Sequence, residues 1–235
     1  MSDRCSAGYD RLARHYEWIE KLRFGNTLQR ARVWGIPSLA NANSSPHVLV
    51  LGDGDGRLLE AFLKHCPTAH VTSVDASPKM IELQRNRIAG LSLHDLANEP
   101  LQNAVTWIKS PIESFVFPTS TFDIVITAFF LDCFDSHQLS KLLPRIADAL
   151  KPHAIWYVVD FCEPPRGLRR WWARFWLAIM HAFFRWQTGL KSRCIVDPGP
   201  MLRSLGFEIQ REKTFHFEMI VAGIYQRREP QRMQD

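Results

Sequence analysis

The run HVLVLGDGDGRLLEAF, residues 47 to 62, constrains this chain more than any other stretch. An apolar run leads straight into Gly52, Gly54 and Gly56, and a helix-period stretch follows from Arg57 without a break. A buried strand that turns at once into a helix needs backbone without Cβ at the turn. Only then can the chain bend through left-handed conformations and leave room for a ligand against its amides. The segment therefore predicts a strand, a glycine turn and a helix whose N-terminus faces a polar or anionic group.

Downstream the same alternation recurs, short β-rich runs between stretches of helical period, which builds βαβ units and a mainly parallel sheet. The strands read as His47–Leu51, Ala69–Val74, Val105–Lys109, Phe122–Thr127, His153–Asp160, Phe207–Arg211 and His216–Tyr225, the last two a hairpin. Helices read as Arg57–His65, Ser77–Ile88 with Ser77 as N-cap and Pro78 in the first turn, Leu139–Leu150, Gly167–Trp186 and Pro198–Ser204, which Gly206 ends. Residues 9–36 read as a helical arm, joined to the sheet by the loop Asn41–Pro46. The expected architecture is α/β, with residues 1–46 as an arm and 47–235 as one domain carrying a helical insertion at 164–196.

Composition narrows the class. With 46% hydrophobic and 23% charged residues in 235, the chain suits one large globular domain, not a disordered or fibrous protein. The cysteines at 5, 66, 133, 162 and 194 form no C-x-x-C pair and no zinc-ligand spacing, so no metal and no disulfide framework are expected, and a reducing, cytoplasmic home is the simplest. No run of about 20 apolar residues predicts a membrane span. The net charge of +5 conceals an asymmetry: residues 164–196 carry seven Lys and Arg and no acid, which leaves the rest of the chain at −2.

Asp75, in SVDASP, stands twenty-three residues after Gly52 at the end of the second strand, where a carboxylate can accept both hydroxyls of a ribose. A nicotinamide dinucleotide uses the same architecture, but its fingerprint puts a third glycine three residues beyond the second, and here that residue is Arg57. No tyrosine has a lysine four residues later, which removes the usual proton-transfer pair of short-chain dehydrogenases. Two other readings stay open: an NAD-dependent oxidoreductase, and a purely structural turn in which Asp75 caps the next helix.

GDGDG after the first strand, Asp75 with Ser77, Pro78, Lys79 and Met80, FDIVIT as fourth strand, LLPRIADALKPHAIWYVVDF into the fifth, and the closing MLRSLGFEI resemble the class I S-adenosylmethionine-dependent methyltransferases over residues 47 to 225. YDRLARHYEW is similar to the arm that covers the cofactor in members related to quinone-biosynthesis methyltransferases. The resemblance implies a Rossmann-like, seven-stranded, mostly parallel sheet with helices on both faces and an antiparallel C-terminal strand. It implies S-adenosyl-L-methionine as cofactor and S-adenosyl-L-homocysteine as product. Gly52, Gly54 and Gly56 would line the methionine moiety, Asp75 would hold the ribose, Ala76 and Met80 would flank the adenine, Ser110, Pro111 and Ile112 would meet its edge, and Thr127 and Ala128 would lie beneath the sulfonium. Where members carry an acid two residues before the first glycine this chain has Val50, which leaves Asp53 or Asp55 to face the cofactor ammonium.

Methyl transfer from a sulfonium is an in-line displacement, so positioning dominates and a base is optional. Asp132, His15 and His137 are the available bases, and Tyr16 of the arm is a candidate for cofactor or substrate contact. The Asn/Asp-Pro-Pro-aromatic tetrapeptide of base-directed amino methyltransferases is replaced by Thr127, Ala128, Phe129 and Phe130, which argues against nucleic acid as a partner. The aromatic exit AFFLDCF suits a small hydrophobic acceptor such as a quinone precursor, a lipid or an aromatic metabolite.

On a helical wheel over 166–186, Arg166, Arg169, Arg170, Arg174, His181 and Arg185 share one arc, opposite Leu168, Trp171, Trp172, Phe175, Ile179, Phe183 and Trp186. Met180 and Phe184 fall in the basic arc. Such a helix serves as a lid over the site or as a peripheral membrane contact with Arg toward phosphates. A non-catalytic nucleotide-binding module whose helix engages a membrane or partner is the alternative from another class.

Overall fold

The computed structural model describes residues 26–40, 44–91, 104–162, 196–216 and 218–228. Seven strands form one sheet: β1 (His47–Leu51), β2 (His70–Asp75), β3 (Val105–Lys109), β4 (Phe122–Ala128), β5 (Leu150–Phe161), β6 (Phe207–Phe215) and β7 (Ile220–Arg227), in the order β3-β2-β1-β4-β5-β7-β6. β1 pairs in parallel with β2 and β4, β2 with β3 and β4 with β5, while β7 runs antiparallel between β5 and β6. The mostly parallel sheet with its antiparallel C-terminal strand is the one the sequence predicts.

Alternation within the strands fills a core on each face. Val48 and Val50 of β1 join Ile124 and Ile126 of β4 and Tyr157 and Val159 of β5 on one side. Leu49 and Leu51, Val125, Trp156 and Val158 face the other. Both faces of the central strands are buried, which explains their near-continuous apolar runs.

Helices α1 (Thr27–Val33), α2 (Ile36–Ala40) and α3 (Arg57–His65) contribute to the first core through Leu28, Ile36, Leu39, Leu58, Leu59, Phe62 and Leu63. α4 (Pro78–Leu91) adds Ile88 and Leu91 to it. α5 (Ser136–Asp148) and α6 (Gly199–Ser204) cover the opposite face with Leu139, Leu142, Leu143, Ile146 and Leu202. Tyr157 ties α1 and α2 to the sheet: its hydroxyl donates to the Ala31 carbonyl at 2.8 Å and accepts from the Gly35 amide at 3.0 Å.

Several boundaries move. α5 begins at Ser136, not Leu139, because Asp135 and Gln138 form a capping box: the Gln138 amide donates to Asp135 Oδ1 at 2.8 Å and the Asp135 amide to Gln138 Oε1 at 3.0 Å. β5 starts at Leu150, running through Pro152 and through His153 at φ 62°, since a register shift against β4 absorbs the irregularity. β6 extends to Phe215 and β7 starts only at Ile220, because each pairs with the other along nearly its full length. Ser77 caps α4 as expected, accepting from the Met80 amide at 3.1 Å. The arm's residues 9–25, with Tyr16 and His15, and the helix expected at 167–186 lie outside the described residues.

Candidate cofactor and acceptor site

Strand order fixes where a ligand can sit. The chain steps outward from β1 through β2 to β3, then restarts at β4 and steps the other way, so the crevice opens between the carboxyl ends of β1 and β4. The loop from Gly52 to Gly56 leaves β1 there, and Phe129 and Phe130 leave β4 there.

The three glycines hold φ of 66°, 68° and 86°, in the left-handed region where a side chain is strained. A Cβ on Gly52 would collide with the Phe130 ring, whereas one on Gly54 would meet no atom within 4 Å, so open space faces the middle of the loop. Gly52 lies beside β2, its amide donating to the Val74 carbonyl at 3.0 Å, and Asp75 is the next residue along. The Ser110 amide donates to the Asp75 carbonyl at 3.0 Å, which brings the loop after β3 against the same edge. Glycine loop, Asp75 and Ser110 are therefore contiguous, as the nucleoside reading requires.

Two residues that sequence reasoning missed set the loop's shape. Gln84 of α4, fully buried, donates to the Gly54 carbonyl at 3.0 Å and accepts from Ser73 Oγ at 2.7 Å. Arg87, one turn on, donates to the Asp55 carbonyl at 2.9 Å and pairs with Glu60 at 3.2 Å. Their spacing on one face of α4 was legible, but nothing local said that this face meets the glycines.

The acids of the loop are engaged within the protein. Asp53 accepts from the Leu58 and Leu59 amides at 3.3 and 2.9 Å, capping α3 in place of a side chain that Gly56 lacks. Asp55 pairs with Arg57 at 2.9 Å and Arg87 at 3.4 Å. Buried Arg32 of α1 acts electrostatically on Asp53, and its guanidinium lies 4.9 Å from the Phe129 ring centre. Gln29, one turn earlier, has a buried Oε1 without a partner among the described residues, while its Nε2 donates to the Arg57 carbonyl at 3.4 Å. Arm residues 29 and 32 thus stand against the glycine loop, a placement with no signal in the local sequence.

The remaining expected site residues sort by exposure. Asp75 is half-buried, with Oδ1 accepting from the Ser77 amide at 2.9 Å, and Ala76, Ser110 and Pro111 are half-buried beside it. Met80 and Ile112 are buried at 3% and 5% exposure, beneath the surface the adenine was expected to touch. Thr127 is fully buried and its hydroxyl accepts from Trp156 Nε1 at 3.1 Å, so its side chain serves the α5-side core and only backbone is left for the crevice. Phe129 adopts φ 54°, rare for a bulky residue and a mark of over-determined geometry at a site. His137 is exposed in the first turn of α5.

Burial pushes the Asp53 carboxyl up to about 7 against the pull of the α3 amides, and pushes Asp132 up to about 6. Asp160 is raised well above the ordinary range by burial and by Asp132 beside it. In the unfolded chain such acids titrate near 3.9. The folded state therefore holds protons that the unfolded chain has released, and stability complete below about pH 4 is lost as pH rises through 6 and 7. The melting temperature is expected to fall between pH 5 and 8 at fixed ionic strength, and a rise across that interval would contradict these environments.

Residues 48–153 match a family model described as a methyltransferase domain. Over this stretch, a little under half its length, the chain is similar to methyltransferase domains. Among solved structures, a SAM-dependent methyltransferase of Methanosarcina mazei aligns with TM-score 0.60 at 19% identity, over 81% of this chain and 97% of that one. A 1,6-didemethyltoxoflavin-N1-methyltransferase of Burkholderia thailandensis, solved with its substrate and S-adenosylhomocysteine, aligns with TM-score 0.58 at 14% identity, over 93% and 89%. These likenesses concern the fold.

Curated relatives are named polyamine aminopropyltransferase. One from Prochlorococcus marinus (strain MIT 9301) is 24% identical over 111 residues, and aminopropyltransferase 2 of Bacillus anthracis is 31% identical over 118 residues. These matches take in 46% and 48% of this chain but only 36% and 32% of the relatives' own lengths. Among the described residues no helix of the methyltransferase fold is long and apolar enough to cross a membrane.

Proposed function

We propose that the protein transfers a methyl group from S-adenosylmethionine to a small acceptor with an apolar body, such as a quinone precursor, a lipid or an aromatic metabolite. The observation that carries this reading is the open space facing Gly54 at the β1/β4 switch point, with Asp75 at the end of the neighbouring strand. The residues fit the cofactor: glycines without Cβ make the cradle, Asp75 suits the ribose hydroxyls, and Ala76, Ser110 and Pro111 form the half-buried edge for the adenine. When bound, the cofactor supplies an electrophilic methyl carbon on a sulfonium.

The chain's own work is positioning. Gln84 and Arg87 hold the glycine loop in one shape, and Phe130 packs over Gly52 between loop and β4 exit. Phe130 and Phe134, with rings 5.2 Å apart, give the acceptor side an apolar wall that excludes water from the reacting atoms. The cover expected from the N-terminal arm with Tyr16, and the lid or membrane role expected of 166–186, fall on residues outside those the structure describes.

Calorimetry with S-adenosylmethionine, S-adenosylhomocysteine and NAD tests the reading: the first two bind and NAD does not. Asp75→Ala weakens cofactor binding by about 1.5–3 kcal/mol through loss of charge-assisted hydrogen bonds. Tight binding of NAD alone, or an unchanged affinity in Asp75→Ala, would falsify it. The curated relatives' names carry a second reading, aminopropyl transfer to a polyamine, which the mass added to an acceptor distinguishes.

A further inference from the structure

Beside the β4 exit lies a polar feature that cofactor binding leaves unused. Asp160, the penultimate residue of β5, is 2% exposed, and neither carboxylate oxygen has a hydrogen-bond partner among the described residues. The backbone amides of Phe130, Leu131 and Asp132, in the turn that follows β4, face it at longer range and favour its charged form, while the Asp132 carboxyl opposes it. Asp132 is half-buried in that turn, its Oδ1 3.6 Å from Cys133 Sγ as acceptor.

Three backbone amides at long range do not offset two carboxylates beside each other and away from water, so the pair holds a proton or a cation. Among the described residues neither acid forms an ion pair. The surrounding corner is acidic too: Asp160, Asp197 and Glu212 act together on Cys162 and on Tyr225 of β7, Glu218 adds to Cys162, and Arg203 of α6 bears on Tyr225. Apolar side chains adjoin the pair, since half-buried Phe130, backed by buried Phe134, flanks the short Leu131–Cys133 helical turn that carries Asp132.

We infer that Asp132 and Asp160 form the seat for a basic nitrogen, so that the acceptor is a small amine whose apolar body lies against Phe130 and Phe134 and whose ammonium meets the two carboxyl groups. This rests on the methyl-transfer reading. The half-buried Asp132 meets the nitrogen at the crevice and Asp160 stands behind it, so that in the complex the ammonium takes the place of the proton that the free pair holds. An N–H proton passes to a carboxylate, and the electron pair left on nitrogen forms the new N–C bond. The C–S bond breaks with its electron pair staying on sulfur, and the proton held by the pair later leaves to solvent.

The test is calorimetry on the full chain saturated with S-adenosylhomocysteine, titrated with octylamine, phenethylamine, tryptamine and putrescine and with the matched alcohols of the first three. Expected is binding of at least one amine at least about tenfold tighter than its alcohol, with proton release to buffer at pH 7 as the pair exchanges its proton for the ammonium. Asp160→Asn should abolish the preference while S-adenosylhomocysteine affinity stays within about twofold. Asp132→Asn, at a more accessible position, should do the same if Asp160→Asn folds poorly.

No amine preference, a preference that survives both substitutions, or amine binding without proton release would overturn the nitrogen site. Failure of S-adenosylhomocysteine to bind the wild type would instead strike the cofactor reading, and the two failures are distinct.

Discussion

Gly52→Ala is expected to lower stability by about 2–4 kcal/mol and to abolish measurable cofactor binding. Two effects add. At φ 66° a Cβ brings backbone strain of roughly 1–2 kcal/mol. The same Cβ runs into the Phe130 ring, and forcing an aromatic out of a packed position costs about 1–3 kcal/mol more. Phe130 cannot yield quietly, because it is wedged edge-on against Phe134 at 5.2 Å.

Gly54→Ala separates the two contributions. Its φ is 68°, almost that of Gly52, yet nothing lies within 4 Å of the added methyl. It should lose only the strain, about 1–2 kcal/mol, while its methyl enters the space assigned to the ligand and still prevents binding. Urea unfolding measures the stabilities and titration with S-adenosylhomocysteine the binding. If Gly54→Ala bound the ligand as wild type does, the open space at Gly54 would not be the cofactor's.

Tyr157→Phe is expected to cost about 2–4 kcal/mol although it removes one oxygen and leaves no large cavity. The hydroxyl serves two backbone groups at once, the Ala31 carbonyl at 2.8 Å and the Gly35 amide at 3.0 Å, and all three residues are buried. Each orphaned buried group loses about 1–3 kcal/mol. Gly35 permits the contact: a Cβ there would lie 2.5 Å from the Tyr157 ring, so only glycine lets the ring lie against the turn between α1 and α2. Because Gln29 and Arg32 stand on α1, the variant should also loosen the glycine loop, with faster proteolysis near the arm and weaker S-adenosylhomocysteine binding. A loss below about 0.5 kcal/mol would show that water replaces the hydroxyl at both groups.

The strands and helices that build the sheet were readable because their signals are local. HVLVL and FDIVIT are apolar runs of strand length, and Ser77-Pro78 and the glycines punctuate their own ends. Boundaries failed where a nonlocal partner decided them. His153 reaches β5 at φ 62° because β4 accepts the register shift, and β6 extends to Phe215 because β7 offers ladder bonds that far. With Val50 where related chains carry an acid, Asp53 or Asp55 was left to face the cofactor ammonium; only the structure adds their partners within the protein, the α3 amides for one and Arg57 and Arg87 for the other.

Sequence by itself determined the parallel α/β order, the glycine turn and the carboxylate of Asp75, because backbone geometry and side-chain periodicity are properties of consecutive residues. Tertiary structure alone decided that Gln84 and Arg87 hold the loop, that Arg32 stands beside Asp53, that the Thr127 hydroxyl serves Trp156, and that Asp160 is buried beside Asp132. The physical reason is distance along the chain. A hydrogen bond between residues thirty apart, or repulsion between a carboxylate on β5 and one in the turn after β4, depends on which segments the sheet brings together, and no short window of sequence contains both partners.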